Sequence, residues 1–212
     1  MEKKENFSDY WNNNYTKYYE RKIAYDNWLE KYDDLINACD TTILDLGCGA
    51  GNDTLYLTEK GKDVLSCDYS KVALEKLEKN IENSKTMLFN ISNLPYNFES
   101  ESFKIIIADL SLHYFYEKTT FDIMNELKRI LTKNGTLLAR VNSVNDSHYG
   151  AGKGEKLEHN YYYVTGYNKR FFDETDIEKF FSVIGDVTYS EKVISRFGNN
   201  KKLFEIKVTK KD

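Results

Sequence analysis

The sequence predicts an α/β fold: a doubly wound, seven-stranded, mostly parallel sheet with helices on both faces and a C-terminal antiparallel β-hairpin. Three observations carry this. Short apolar runs alternate with amphipathic segments from residue 42 to residue 141, and such alternation builds a parallel sheet through right-handed crossovers. The run over 103–108, Phe-Lys-Ile-Ile-Ile-Ala, has the β-branched character of a strand covered on both faces. Two last apolar stretches, 187–194 and 203–208, flank Gly198-Asn199-Asn200 and read as a hairpin.

The elements follow in order. Tyr25, Trp28, Leu29, Tyr32, Leu35 and Ile36 recur at helical spacing and predict an amphipathic helix, whereas residues 7–19, crowded with Tyr, Trp and Asn, show no period. A strand is expected over 42–46 and a helix over 52–60, capped by Asn52 or Asp53. Strand two covers 64–67 and ends at Asp68. Ser70 caps a helix running to about residue 83, with Ala73, Leu74 and Leu77 facing inward. Strand three covers 86–89, and strand four covers 103–108 and ends at Asp109. A helix over 121–131 stops before Lys133-Asn134-Gly135, and strand five covers 136–141. The helix over 173–181 has Asp173 as its N-cap, with Glu174 and Asp176 suited to its positive end.

Composition sets bounds on function. A chain of 212 residues suits one domain with a full sheet. With 30 basic against 34 acidic residues, a net charge of −4 argues against a nucleic-acid groove, so no DNA partner is expected. Cys39, Cys48 and Cys67 show no C-x-x-C spacing, which suits a reducing compartment and gives no zinc or disulfide framework. The first residues lead into no apolar signal segment, and no run of about 18 apolar residues occurs. The expectation is a cytoplasmic protein with no membrane partner. Its richness in Lys, Asn and Tyr resembles the usage of an AT-rich bacterial genome.

Residues 43–51, Ile-Leu-Asp-Leu-Gly-Cys-Gly-Ala-Gly, are the most informative. A buried strand runs into closely spaced glycines, which let the backbone bend and approach a ligand that a Cβ would block. A dinucleotide fingerprint needs a glycine at the sixth position of G-x-G-x-x-G, and here that position is Asn52. The pattern is instead D-x-G-x-G-x-G, with Asp45 ahead of Gly47, Gly49 and Gly51. A carboxylate beside the turn repels a pyrophosphate but tolerates a cationic cofactor. Asp68, 23 residues after Asp45, stands where an acid can accept both hydroxyls of a ribose. Asp45 serves either the cofactor, partly through water, or the turn itself as a strand-end acid bonded to loop amides. Cys48 offers its backbone, and no thiol chemistry is expected of it.

The D-x-G-x-G-x-G turn resembles motif I of the class I S-adenosylmethionine (SAM) methyltransferases. Later segments resemble further motifs of that family: Tyr69 after the acid, Asn90-Ile91 after strand three, Asn93-Leu94-Pro95-Tyr96, Asp109-Leu110-Ser111-Leu112-His113-Tyr114 after strand four, and residues 127–138. The resemblance covers about residues 40–210 and implies a Rossmann-like fold with SAM as cofactor and S-adenosylhomocysteine as product. It implies a cofactor set of Asp45, Gly47, Cys48, Gly49, Asn52, Asp68, Tyr69, Ser70, Asn90, Ile91, Asp109, Leu110 and Ser111, with Tyr15 from the N-terminal arm. Asn90 stands where the family usually has an acid for the adenine amino group, a contact its carbonyl can still accept. The segment after strand five resembles a subgroup of small bacterial methyltransferases described as tellurite-resistance-like (TehB-like). The chain then divides into an N-terminal helical arm or lid (1–40), a SAM-binding core (41–141), an acceptor-site loop (142–170) and a final helix with hairpin (171–212).

The expected activity is in-line methyl transfer from SAM to a small-molecule acceptor. Amino methyltransferases acting on adenine N6 or cytosine N4 carry a Pro-Pro-aromatic triplet, which a chain whose single proline is Pro95 lacks. Cytosine-C5 enzymes need a cysteine after the cofactor motifs, and none follows Cys67. A protein or RNA acceptor, a SAM-binding regulator without turnover and, as rival enzyme class, an NAD-type oxidoreductase are the alternatives. Residues 142–170 form a long connection of the kind that makes lids and binding loops. His113 and Tyr149 are the candidate catalytic residues, His113 being either a general base or a polar residue of the strand-four loop. Tyr161, Tyr162 and Tyr163 line an acceptor pocket or enter the core. Arg140 and Arg170 clamp an anion or form surface ion pairs, and Tyr10, Trp11 and Tyr15 close over SAM or pack the arm. His148, Glu155, Glu158 and His159 match no metal spacing, so no metal is expected. Monomer and homodimer are both compatible with the sequence.

Overall fold

In the computed structural model, which describes residues 7–164, 166–196 and 198–211, the chain divides into two compact units that meet in sequence after Asn90. The first contains helix α1 (Ser8–Lys17), a 3-10 helix (Asn27–Tyr32), α2 (Asp33–Ala38), strand β1 (Ile43–Leu46), α3 (Asn52–Glu59), β2 (Val64–Asp68), α4 (Lys71–Asn80) and β3 (Lys85–Leu88). β1 pairs in parallel with β2, Ile43 opposite Val64 through Leu46 opposite Cys67, and β2 pairs in parallel with β3. Ile43, Leu44 and Leu46 of β1, Leu57 of α3 and Ala73 and Leu77 of α4 are fully buried.

The Ser70 cap stands as expected, its hydroxyl oxygen accepting from the Ala73 amide at 3.2 Å. Helix α4 ends three residues before the expected limit, because Ile81 is extended and Asn83 takes a left-handed φ of 58°. Neither Asn52 nor Asp53 caps α3. The N-cap is Gly51 at φ 92°, and Asp53 is buried, accepting from the Trp28 indole at 3.0 Å. That bond explains a second departure. Residues 25–36 do not form one helix, because Trp28 sits in a 3-10 turn capped by Asp26 and α2 starts only at Asp33. Trp28, Leu29 and Ile36 are nevertheless buried, as their spacing requires. The aperiodic aromatic stretch contains α1, which packs on α4: Asn12 Oδ1 accepts from the Ser70 hydroxyl at 2.7 Å, and the buried Lys76 donates to the Tyr18 carbonyl at 3.0 Å.

The second unit contains β4 (Phe103–Asp109), α5 (Glu117–Ile130), β5 (Leu131–Asn142), a 3-10 turn (Ser147–Tyr149), β6 (Glu155–Glu158), β7 (Tyr161–Val164), β8 (Tyr167–Arg170), α6 (Glu174–Phe181), β9 (Gly185–Arg196) and β10 (Asn199–Lys210). Asp173 caps α6 as expected, accepting from the Asp176 amide at 2.8 Å. Helix α5 begins four residues before the predicted start and buries Thr120, Ile123, Met124, Leu127 and Ile130. Leu131, expected in the helix, already pairs with Phe103, and the register shifts before Ile105 meets Thr136. The hairpin is longer than predicted. Asn199 pairs with Arg196 and Asn200 with Ser195, so the two asparagines belong to β10 rather than to the turn.

The strands form a seven-stranded sheet of order β3-β2-β1-β4-β5-β10-β9, in which β10 runs antiparallel to both β5 and β9. Residues 142–170 are not a plain loop. They hold the 3-10 turn and all three strands of a second sheet, β6-β7-β8, whose pairings are antiparallel. Along β7 Tyr161 is buried, Tyr162 half-buried and Tyr163 exposed, a gradient along the strand rather than an alternation. The tyrosine run thus contributes to the core through Tyr161, whose hydroxyl donates to the Tyr114 carbonyl at 2.8 Å. Among the described residues, no helix is long and apolar enough to cross a membrane.

Gly51 tests the turn that starts α3. A Cβ there would lie 2.6 Å from Leu77 Cγ on a backbone already at φ 92°. Gly51→Ala should therefore cost at least about 2 kcal/mol, combining the left-handed penalty with overpacking, read as a lower urea midpoint at an unchanged slope.

Candidate functional site

In the first unit the glycine turn leaves the end of β1 with Gly47, Gly49 and Gly51 all at positive φ, 77°, 56° and 92°. The Gly47 and Cys48 amides both donate to the Cys67 carbonyl, at 2.7 and 2.9 Å. Asp68, at the end of β2, holds the turn from the other side. Its Oδ2 accepts from the Gly49 amide and its Oδ1 from the Ser70 amide, both at 2.8 Å. Burial pushes the Asp68 carboxyl up, and the amides of Ser70, Gly49 and Tyr69 pull it back only in part. Asp45 is 1% exposed and accepts from the Thr54 hydroxyl at 2.6 Å, which in turn shares a 2.8 Å hydrogen bond with Ser66. Thr54 and Ser66 had no motif to mark them; their buried hydroxyls bind Asp45 to α3 and β2.

Two thiols register the electrostatics here. Burial pushes Cys48 well above its ordinary value and Cys67 up to about 12, and in both cases Asp45 and Asp68 push further in the same direction. The turn is thus a site of negative potential. Tyr15 of α1 lies against Gly49, where any Cβ would collide with its hydroxyl. Tyr69 and Asn90 are half-buried and Asn52 is exposed.

In the second unit, Ile91 and Ser111 are buried, and Leu110 takes a left-handed φ of 53°. Asp109 does not stand as an isolated acid. Arg140, 3% exposed, donates to it through two nitrogens at 2.6 and 2.7 Å. Burial pushes Asp109 up, but Arg140, with Arg196 and Lys201 beyond it, holds it below its ordinary value. Arg170 is likewise a buried rather than a surface partner, 2.7 Å from Glu158. Tyr149 donates its hydroxyl to the Arg196 carbonyl at 2.5 Å. His113 is 2% exposed with an unpartnered Nδ1. Burial, then Lys169, Lys201 and Arg196, holds its imidazole well below its ordinary range, so it is neutral and only weakly basic.

Those three cations escaped notice in the sequence because a lysine in a strand ordinarily reads as solvated. Lys201 is 4% exposed, pairs with Asp146 at 3.2 Å and donates to Asn142 Oδ1. Lys169 is 5% exposed, donates to the Tyr149 carbonyl at 3.2 Å and lies over the Phe171 ring. Of the residues weighed for a metal, His148 and Glu155 are exposed and Glu158 is taken by Arg170. His159 instead neighbours Asp173 and Asp176; the Asp173 carboxylate caps α6, and both carboxylates accept from Asn160.

The family described as a methyltransferase domain matches residues 44–139. That match spans less than half of the chain, and the fold is the one seen in solved SAM-dependent methyltransferases. The chain is 34% identical over 110 residues to ribosomal RNA small subunit methyltransferase A of Mesomycoplasma hyopneumoniae, covering 52% of this chain and 40% of the relative. It thus spans about half, or less, of the length of the curated relatives it matches. Among solved structures it is similar to a SAM-dependent methyltransferase of Methanosarcina mazei, with a TM-score of 0.68 at 20% identity over 81% of this chain and 93% of the other. TehB of Haemophilus influenzae gives 0.65 at 18% identity, covering 95% and 67%.

The Asp109–Arg140 pair is testable by itself. Arg140→Met should cost about 3–5 kcal/mol, because it leaves a buried carboxylate uncompensated, while Arg140→Met with Asp109→Leu should recover most of that loss. Denaturant unfolding of the two variants measures the difference.

Proposed function

We propose that this protein transfers a methyl group from SAM to a small-molecule acceptor in the cytoplasm. The acid-bounded glycine turn carries the reading. Asp45 and Asp68 both bear on Cys48 within the turn, a potential that repels a dinucleotide's pyrophosphate and attracts a sulfonium and an ammonium group. The Asp68 oxygens accept from the Gly49 and Ser70 amides, and a carboxylate's four lone-pair directions leave room for a ribose hydroxyl. In the first unit Asp45, Gly47, Cys48, Gly49, Asn52, Asp68, Tyr69, Ser70 and Asn90 would hold the cofactor, and Tyr15 would cover it. Ile91, Asp109, Leu110 and Ser111 join that set on the family resemblance.

When bound, SAM supplies an activated methyl group: the acceptor atom bonds to it as the carbon–sulfur bond breaks and its electron pair returns to sulfur. What the protein adds is chiefly positioning. On this reading the whole chain works as one methyltransferase domain, with residues 142–170 on the acceptor side. The acidic balance of 30 against 34 supports a small acceptor. It weighs against RNA, the substrate class named for the Mesomycoplasma relative.

Calorimetric titration with S-adenosylhomocysteine beside NAD tests the cofactor. Micromolar binding of the first alone is expected, and binding of NAD instead would overturn the reading. Asp68→Ala should weaken S-adenosylhomocysteine at least about tenfold, the loss of a charge-assisted contact, in protein that keeps its native melting transition. Unchanged affinity removes Asp68 from the ribose.

A further inference from the structure

The second unit buries more positive than negative charge around one histidine. Arg140, Lys169 and Lys201 are each less than 6% exposed, and Arg196 acts on the same group of residues. The carboxylates among them are Asp109, which takes Arg140 in two hydrogen bonds, Asp146, which takes Lys201, and Glu205, 8% exposed and opposite Arg140 in the β5–β10 ladder. Lys169 has no such partner. Among the described residues its ammonium meets one carbonyl, that of Tyr149, and the face of Phe171. An ammonium buried with a single neutral acceptor leaves most of its donor capacity unused. Burial, with Lys201 and Arg196 nearby and Asp146 only partly offsetting them, pushes it down to about 7.

Two further polar groups in the same cluster are unpartnered. His113 Nδ1 and Asn142 Nδ2 are buried without a hydrogen-bond partner, in side chains 2% and 1% exposed. The orientation of the Asn142 amide is fixed, because Lys201 donates to Oδ1 and a flipped amide would turn its NH₂ on an ammonium. Nδ2 is therefore a true spare donor. Buried polar groups normally find partners, and those that do not call for an explanation. Here the spare groups are a lysine ammonium, an amide donor and a neutral imidazole able to donate, and what such a set lacks is a negatively charged acceptor of hydrogen bonds.

We propose that Lys169, Asn142 and His113, backed by Lys201 and Arg196, form a binding site for an anionic group, and that the methyl acceptor is an anion. The second half rests on the methyltransferase reading above. It also resolves the weakness of His113 as a base. An acceptor that must first lose a proton would draw little help from an imidazole held far below neutrality, whereas an anion brings its lone pair ready. Positioning and desolvation then suffice, with no proton to move.

The test titrates inorganic sulfate, benzoate and the neutral isostere benzamide into the full-length protein, with and without saturating S-adenosylhomocysteine, at pH 6 and pH 8. The groups facing Lys169 are His113 from the β4 loop, Asp146 from the segment after β5, Arg196 of β9 and Lys201 of β10. The Lys169 charge is present below about 7 and lost above it, so anion affinity should fall at least about fivefold from pH 6 to pH 8. Sulfate binding points to a tetrahedral oxyanion and benzoate binding to a carboxylate, while benzamide should not bind. Lys169→Met should weaken the anion at least about tenfold and leave S-adenosylhomocysteine unchanged. Lys169→Arg, which stays charged, should keep anion binding and lose its pH dependence. The proposal is overturned if neither anion binds, if benzamide equals benzoate, or if Lys169→Met binds anions as the wild type does. Failure of S-adenosylhomocysteine to bind overturns the methyltransferase reading instead, and the titration without it still decides the anion site.

Discussion

The carboxylate of Asp68 is the constraint on which the first unit depends. Its two oxygens accept amides from Gly49 and Ser70 and so join the glycine turn after β1 to the start of α4. Both partners are backbone groups that would otherwise be orphaned, one in a loop of positive φ and one at a helix N-terminus. The arrangement is reinforced nearby. Ser70 caps α4 through its hydroxyl oxygen and donates the hydroxyl proton to Asn12, so α1 is positioned by the same residue that follows the acid. With α1 in place, Tyr15 lies on Gly49 and only a glycine fits beneath it. Asp68 thus fixes the turn, the helix and the arm through short polar contacts rather than through apolar area.

The second unit is organised by buried cations, each of them costly to desolvate. Arg140 is offset by Asp109 and Lys201 by Asp146, and Arg170 by Glu158 together with the His159 carbonyl. In each of those pairs a carboxylate offsets the cation. Lys169 breaks the pattern, since Asp146, the carboxylate that acts on it, already serves Lys201. A cluster whose members are almost all accounted for makes the exception informative, because local packing would be served as well by a methionine of similar length.

The succession of strands and helices along the chain and the glycine turn were legible because both rest on short-range rules: period, apolar runs, and the glycine spacing that positive φ demands. Ser70 and Asp173 were legible as caps for the same reason. The misplaced features were decided by contacts distant in sequence. Asp53 looks like a cap but accepts from Trp28, 25 residues earlier, and that bond also interrupts the helix expected over 25–36. Helix α1 shows no apolar period because its fit to α4 is polar, through Asn12 and the Tyr18 carbonyl. The acids of motif I were identifiable, but not the hydroxyls of Thr54 and Ser66 that hold Asp45. Least legible was the cation cluster. Lys169 and Lys201 sit 32 residues apart in stretches rich in charged and polar residues, and only the folding of β8 and β10 buries them.

The first unit carries an acidic glycine turn and the second a cationic cluster, and each sign suits the charge of the ligand proposed for it. A sulfonium cofactor is favoured by negative potential at its own site, while an anionic acceptor is favoured by positive potential at its own. Transfer then consumes one charge of each sign and leaves neutral sulfur and a neutral methylated group. Such a reaction is slowed in water, which solvates the separated charges better than the transition state in which they are being neutralised. Sites that replace that water with fixed, partly offset charges lessen the handicap without a proton relay. A near-neutral lysine suits this role better than an arginine pair: it lends its charge to an incoming anion, and its own burial limits how tightly a neutral product is held.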